Sequence, residues 1–225
     1  MSFLRAALQA VLIFQTSLAL SAAVIYDGGS PDGVDGASIS AQTAAQQFTL
    51  ADATTLQGLL FFGSAFVNDV PSHFGGTIGF RFLADNAGAP GTSLFLGSDS
   101  SVQLINNGTQ NPGMDEYRFL VNLGSVPLAA GTYWLAFHEG LMGTADDGTP
   151  IFWSSTSSAP PGTADFYATF QADGLAPYGS SELFQTAFQL RDTPAYTSVP
   201  EPSTWVLVLS AGGLLFLQRN RRGRQ

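Results

Sequence analysis

The chain has 225 residues, of which only 11% are charged, and its 17 acids and 8 bases give a net charge of −9. This acidic balance excludes a nucleic-acid binder that works through a basic patch. The chain has no cysteine. Disulfides, cysteine-ligated zinc or iron–sulfur sites and thiol nucleophiles are therefore excluded.

The charges are distributed unevenly along the chain. Residues 24–199 contain 16 acids and only three arginines, Arg81, Arg118 and Arg191, which gives this span a net charge of −13. The other five arginines lie near the two ends, where targeting signals are found. The apolar fraction of 45% indicates a folded body rather than overall disorder.

The N-terminus has the three-part pattern of a secretory signal peptide. Arg5 provides a positive start, residues 6–20 are mostly apolar, and small residues precede a cleavage site after Ala23. The pattern predicts a signal peptide over residues 1–23 that is delivered to the Sec translocon. The alternative is an N-terminal helix that is not cleaved.

An acidic, glycine-rich segment follows the predicted cleavage site. Asp27, Asp32 and Asp35 lie there among four glycines, and such oxygen ligands suit Ca²⁺. The spacing is not that of an EF-hand. A flexible, exposed lead is therefore the favoured interpretation, and calcium is the alternative; no other cofactor is predicted.

The body shows short alternating apolar and polar runs separated by turn residues, which is typical of an all-β domain. Strands are predicted at 46–50, 55–63, 77–83, 93–96, 101–106, 116–123, 131–138, 151–154, 164–171 and 182–191, with a turn at 85–91. One short helical turn is expected at 41–47. This pattern predicts an antiparallel, two-sheet, jelly-roll-like β-sandwich, with 18 phenylalanines supplying the core.

No constellation of catalytic residues is evident. His73 and His138 lack metal-spaced partners, and no nucleophile motif is present. His138 and Glu139 are expected to form a surface loop pair. Glu116, Glu139 and Glu182 are candidates for a glycosidase couple, although scattered surface acids are the usual explanation.

Aromatic residues offer a possible sugar-stacking surface, with Trp134 and Trp153 as the main candidates and Tyr133, Tyr167 and Tyr178 as further ones. On an alternating strand, Tyr133 and Trp134 face opposite sides, so one of them is expected to face outward. Packing in the core or beneath a loop is the alternative for both tryptophans.

The C-terminus contains three elements in a fixed order. Val199, Pro200, Glu201 and Pro202 come first, and the two prolines prevent a continuous helix through this motif. An apolar segment follows at 205–217, with Trp205, Leu207, Leu209, Leu214, Leu215, Phe216 and Leu217 as its large members. A basic tail ends the chain, containing Arg219, Arg221, Arg222 and Arg224.

The apolar segment is short for a membrane span. Its 13 residues extend over roughly 20 Å as a helix, against about 30 Å of hydrocarbon. The arginines would remain cytoplasmic by the positive-inside rule, leaving the body outside. This length suits a transient helix better than a permanent span, and a plain tail anchor is the alternative.

The C-terminal segment resembles the PEP-CTERM sorting signal of Gram-negative bacteria, which is read by the membrane enzyme exosortase. The resemblance implies export, transient insertion into the inner membrane, cleavage near Pro200-Glu201-Pro202, and delivery to the cell surface or extracellular matrix. The body also resembles β-sandwich ectodomains of such proteins, through Leu-Phe-Phe-Gly at 60–63 and Ala-Phe-Gln-Leu at 187–190.

The sequence thus predicts a signal peptide at 1–23, a β-sandwich at 24–195 and a sorting signal at 199–225. The predicted function is that of an exported, non-enzymatic surface or matrix protein with exosortase and the Sec translocon as partners. A carbohydrate-binding module for extracellular polysaccharide is the alternative, and a polysaccharide hydrolase is the less favoured one. Nucleic acid is not expected as a partner.

Overall fold

A computed structural model describes residues 23–65, 70–111, 114–144, 150–160, 167–169, 179–180 and 185–196. The predicted sorting signal, and all of the predicted signal peptide except Ala23, lie outside these residues. The chain divides into two compact units, Met1–Ala195 and Tyr196–Gln225. All the strands given below belong to the first unit.

Within the described ranges the chain forms fourteen β-strands and one short helix, which confirms the all-β class. The helix, α1, covers Val70–His73. The strands are β1 (Val24–Asp27), β2 (Gly36–Ser38), β3 (Thr43–Leu50), β4 (Thr54–Ala65), β5 (Ile78–Asp85), β6 (Pro90–Asp99), β7 (Gln103–Asn111), β8 (Met114–Leu128), β9 (Gly131–Glu139), β10 (Ile151–Thr156), β11 (Tyr167–Thr169), β12 (Gly179–Ser180), β13 (Gln185–Thr186) and β14 (Phe188–Arg191).

The strands form two antiparallel sheets, as predicted. The larger sheet is organised around β4, with β8 and then β7 on one side. On the other side, β14 pairs with one half of β4 and β10 with its other half. β1 joins β14, while β2 and β13 join β10. The smaller sheet has the order β12-β11-β3-β9-β5-β6.

Side chains from both sheets share one apolar core in which aromatic rings are prominent. The ring of Phe137, from the smaller sheet, lies 4.5 Å from that of Phe61 and 4.0 Å from that of Trp153. Phe61 also stacks on Phe119 at 4.5 Å between ring centroids. The predicted phenylalanine-rich core is therefore present, and it joins the two sheets without disulfides.

The ten predicted strands all overlap strands of the structure, but the N-terminal part of the body differs from the prediction. The helical turn predicted at 41–47 is wrong, because β3 begins at Thr43 and continues to Leu50. Ala44 and Ala45 are fully buried in that strand. β1 and β2 were not predicted, since the glycines around them are typical of turns.

The predicted turn at 85–91 is confirmed. The backbone N–H of Asn86 donates to the carbonyl of Ala89 at 2.8 Å, which closes a two-residue connection between β5 and β6. Its central residues, Ala87 and Gly88, have φ values of 52° and 86°. Two successive positive φ values define the type I′ turn that fits the twist of a hairpin.

Candidate functional site

Trp134 is a buried residue of β9, with no exposed surface. Its indole N–H donates to Oδ1 of Asp85 at 2.8 Å, and the side-chain amide of Gln47 donates to the same oxygen at 2.9 Å. The backbone N–H of Gly88 donates to the other carboxylate oxygen at 3.1 Å. The carboxylate of Asp85, on β5, thus joins Trp134 of β9, Gln47 of β3 and the hairpin turn.

These hydrogen bonds determine the charge state of Asp85. Burial alone would raise the pKa of Asp85, but the donors on Trp134, Gly88 and Gln47 outweigh burial, and the pKa lies below its ordinary value of 3.8. Asp85 is therefore ionised at neutral pH and stabilises the structure as an acceptor. Among the residues described, this is a structural site rather than a binding platform.

Trp153 is also fully buried, within the main core. Its indole N–H donates to the carbonyl of Ala187 at 3.0 Å, and its ring lies 5.6 Å from that of Phe188. A sugar can stack only on a ring face that solvent reaches. The predicted glycan contact at Trp134 and Trp153 is therefore wrong, and both follow the core-packing alternative.

The surface of the described ranges shows no aromatic platform either. The large apolar side chains that are exposed there are all aliphatic: Val24, Val34, Leu94, Leu96, Ile105 and Leu141. Tyr133 is half-buried, lies 5.8 Å from the ring of Phe48 and donates its hydroxyl to the carbonyl of Ala129. The side chains of Tyr167 and Tyr178 lie outside the described residues.

The three aspartates of the predicted calcium loop each accept a local backbone hydrogen bond. Asp27 accepts from the N–H of Gly29 at 2.9 Å, Asp32 from that of Val34 at 3.0 Å, and Asp35 from that of Gly36 at 2.8 Å. The bonds of Asp27 and Asp32 reach two residues ahead and form Asx-type turns, a common use of aspartate in loops. Over the described part of the chain, no group of three acidic or histidine side chains lies close enough to hold a metal ion.

The segment that contains these aspartates is exposed at Val34 and Asp35, as predicted, but it is not a free lead, because hydrogen bonds attach it to β10. The hydroxyl of Ser155 donates to the carboxylate of Asp32 at 2.6 Å. The same hydroxyl oxygen accepts from the backbone N–H of Asp35 at 3.1 Å. The backbones are also joined, since Asp32 N–H donates to the Ser155 carbonyl and Ser155 N–H to that of Asp35. Both aspartates therefore participate in holding the loop on the sheet.

The candidate acids Glu116 and Glu139 belong to different sheets. Glu116, on β8 of the larger sheet, is 2% exposed and accepts from the side-chain amide of Asn107 at 2.7 Å. Burial raises the pKa of Glu116, with a smaller contribution from Asp32. Glu139, on β9 of the smaller sheet, accepts from the hydroxyl of Ser40 and the N–H of Gly75.

The structure does not bring the two carboxylates together. Along β8, Glu116 alternates with the core residues Tyr117 and Phe119, so it faces away from the main core. Glu139 lies on the same face of β9 as the core residue Phe137. Glu182 lies outside the described residues.

The prediction that His138 and Glu139 form a surface loop pair is wrong. Both belong to β9, and they are 1% and 8% exposed. His73 is exposed at the end of α1. The two histidines therefore occupy different settings, one inside a sheet and one on the surface.

The predicted sorting motif, apolar segment and basic tail, residues 199–225, lie outside the described residues. Across the ranges that the structure does describe, no helix has the length and apolar character needed to span a membrane. No family model matches the chain, and no curated protein matches it.

Proposed function

We propose that this is an exported, non-enzymatic protein of the cell surface or extracellular matrix, which exosortase processes through its C-terminal signal. One observation carries the proposal: the order of Pro200-Glu201-Pro202, an apolar segment and four arginines at the end of a chain that starts with a secretory pattern. The arginines would remain cytoplasmic and the body would lie outside.

The β-sheet body of the protein is suited to export. Its two antiparallel sheets are held by an aromatic core rather than by disulfides, so folding would not depend on an oxidising enzyme. We further propose that the sheets form a jelly-roll-like sandwich between a signal helix and a short C-terminal apolar helix. The division into compact units after Ala195 supports a tail that is removed without cutting the body.

A carbohydrate-binding role has lost its two main candidate residues. Trp134 and Trp153 are buried, and the exposed apolar side chains among the described residues are aliphatic. Sugar recognition commonly uses exposed aromatic faces. Non-enzymatic surface sorting is therefore the function that we favour.

Mass spectrometry of the protein from its own host tests the proposal. We expect a mature N-terminus at Val24 and a C-terminus near residues 200–202, with the apolar segment removed. Substituting Glu201→Ala with Pro202→Ala should leave the tail attached, as should deletion of the exosortase.

The matched control is Pro194→Ala, which removes a proline upstream of the motif and should leave processing unchanged. Retention of the tail in the wild-type protein while exosortase is active would refute the proposal. So would a wild-type protein that keeps residues 1–23 and remains in the cytoplasm.

A further inference from the structure

Arg81, on β5, is a buried arginine without a counter-ion among the described residues. Its side chain is only 7% exposed. Its Nε is buried and has no hydrogen-bond partner, and no described carboxylate forms an ion pair with the guanidinium. Arginine is almost never buried this deeply unless it is paired, because an uncompensated charge out of water is costly. Residues 24–199 contain 16 acids, so a shortage of acids does not explain the missing partner.

The side chain of Arg81 lies on the outer face of the smaller sheet. Its neighbours along β5, Phe80 and Phe82, belong to the main core, and successive residues of a strand point to opposite faces. Arg81 therefore points away from that core. Directly opposite it lie Ala136 of β9 and Leu96 of β6.

The outer face around Arg81 is largely apolar. Ala136 is buried there together with Leu83 and Trp134, in the small cluster described above. On the other side, Leu96 is 54% exposed, so the apolar surface is open to solvent at β6. Apolar surroundings strengthen the attraction between a guanidinium and an anion, because less water screens it.

The loop at 140–142 borders the same region. A Cβ added to Gly79 would lie 2.6 Å from the backbone nitrogen of Met142, so this loop rests on the outer face, two residues along β5 from Arg81. His138 lies opposite Gly79 on that face. The guanidinium therefore has a loop on one side, an open apolar surface on another, and a second basic residue diagonally across the sheet.

We propose that Arg81 anchors a binding site for a carboxylate that carries a short apolar chain. The planar guanidinium presents its N–H donors as a fork that matches a carboxylate in two parallel hydrogen bonds. The carboxylate supplies the missing counter-charge. Its apolar chain lies along Leu96 toward Leu94, which is 50% exposed. The site belongs to the body alone and does not rest on the sorting proposal.

Calorimetric titration of the purified full chain with hexanoate, at constant pH and ionic strength, tests the proposal. We expect saturable binding to one site, although the net charge of −13 in residues 24–199 repels anions from most of the surface. Hexanol has the chain without the charge, and acetate has the charge without the chain. Each should bind at least about tenfold more weakly than hexanoate. Absence of hexanoate binding, or equal binding of hexanoate and either control ligand, overturns the proposal.

Substitution of Arg81 locates the site. Arg81→Met retains an extended apolar side chain but removes the charge, and it should abolish hexanoate binding. Arg191→Gln is the matched control, because it also removes one arginine, whose guanidinium already donates to Gln189. This control should bind hexanoate as the wild type does. Binding that Arg81→Met retains, or that both variants lose equally, refutes the inference.

Thermal unfolding without ligand provides a second measurement. Removal of an unpaired buried charge should raise the melting temperature of Arg81→Met above that of the wild type, whereas loss of a merely structural arginine would lower it. If Arg81→Met does not fold, as judged by circular dichroism, Arg81→Lys takes its place. Lysine keeps the charge but lacks the planar fork, so this variant should bind hexanoate several-fold more weakly, and unchanged binding refutes the inference.

Discussion

The two buried tryptophans of this protein make chemically different hydrogen bonds. Trp134 donates to an ionised carboxylate, Asp85, whereas Trp153 donates to the neutral carbonyl of Ala187. Hydrogen bonds to charged groups contribute more than neutral ones. The contribution of Trp134 must in addition vary with pH, since Asp85 titrates.

We expect Trp134→Phe to lower the free energy of unfolding at neutral pH by about 1–3 kcal/mol. The lowered pKa of Asp85 means that its stabilising effect is present above its ordinary pKa of 3.8 and is lost as the pH falls through the folded-state value. The difference in free energy of unfolding between Trp134→Phe and the wild type should therefore become smaller at acid pH, as measured by denaturant unfolding. Trp153→Phe is the control, and its deficit should not change over that range.

The pH dependence of stability expected from Glu116 is opposite in sign to that expected from Asp85. Because burial raises its pKa above the ordinary 4.5, its effect on stability is most favourable below pH 4.5 and is lost as the pH rises through the folded-state pKa. Glu116→Gln should therefore gain stability relative to the wild type as the pH increases from 4.5 to neutrality. Denaturant midpoints at several pH values would show this, and a difference that is constant with pH would contradict it.

At the scale of elements, the β5–β6 turn contains a residue that fits it poorly. Ala87 has a φ of 52°, a left-handed conformation that costs an alanine about 1–2 kcal/mol and that asparagine tolerates better. Ala87→Asn should therefore stabilise the protein by up to about 1 kcal/mol in thermal or denaturant unfolding. Gly88→Ala is the opposing control.

Gly88→Ala should destabilise, because Gly88 has a φ of 86°. No atom lies within 4 Å of the position that its Cβ would take, so the loss would come from backbone strain alone. Equal effects of the two substitutions would argue against the I′ conformation.

The sequence predicted strands well where alternation was clear and failed where local composition was misleading. The ten predicted strands are present because strand alternation follows directly from burial of one face. β1 and β2 escaped prediction because their glycine-rich surroundings indicate turns, and only pairing with distant β14 and β10 makes them strands. Such long-range pairing leaves no local pattern.

The prediction of a glycan contact at Trp134 was wrong for a related reason. Alternation predicted that Tyr133 and Trp134 face opposite sides, and only Tyr133 packs against the main core. The pattern contained no information that the outer face is also buried around Trp134, Leu83, Ala45 and Ala136. Asp85 is the key partner there, and its position in a turn motif gave no sign of that role.

At the scale of the whole molecule, the net charge of −13 in residues 24–199 acts against the compact state by self-repulsion at every distance that salt does not screen. The Debye length is about 10 Å at 0.1 M salt and 3 Å at 1 M. The free energy of unfolding should therefore rise as the salt concentration is raised. Thermal unfolding over a salt series would measure this, and a body stabilised mainly by ion pairs would lose stability instead.

The pairing of β1 with β14 joins the beginning of the body to its end. Val24 lies opposite Arg191, and Asp27 opposite Gln189. In a chain that crosses a membrane N-terminus first, β1 emerges before every other strand, and its partner in the sheet emerges last. Only eight residues separate Arg191 from Pro200, a reach of roughly 30 Å when extended. If the C-terminal segment is the sorting signal that we propose, completion of the fold and arrival of that signal at the membrane would be nearly simultaneous, and slow pairing of β1 with β14 would delay release.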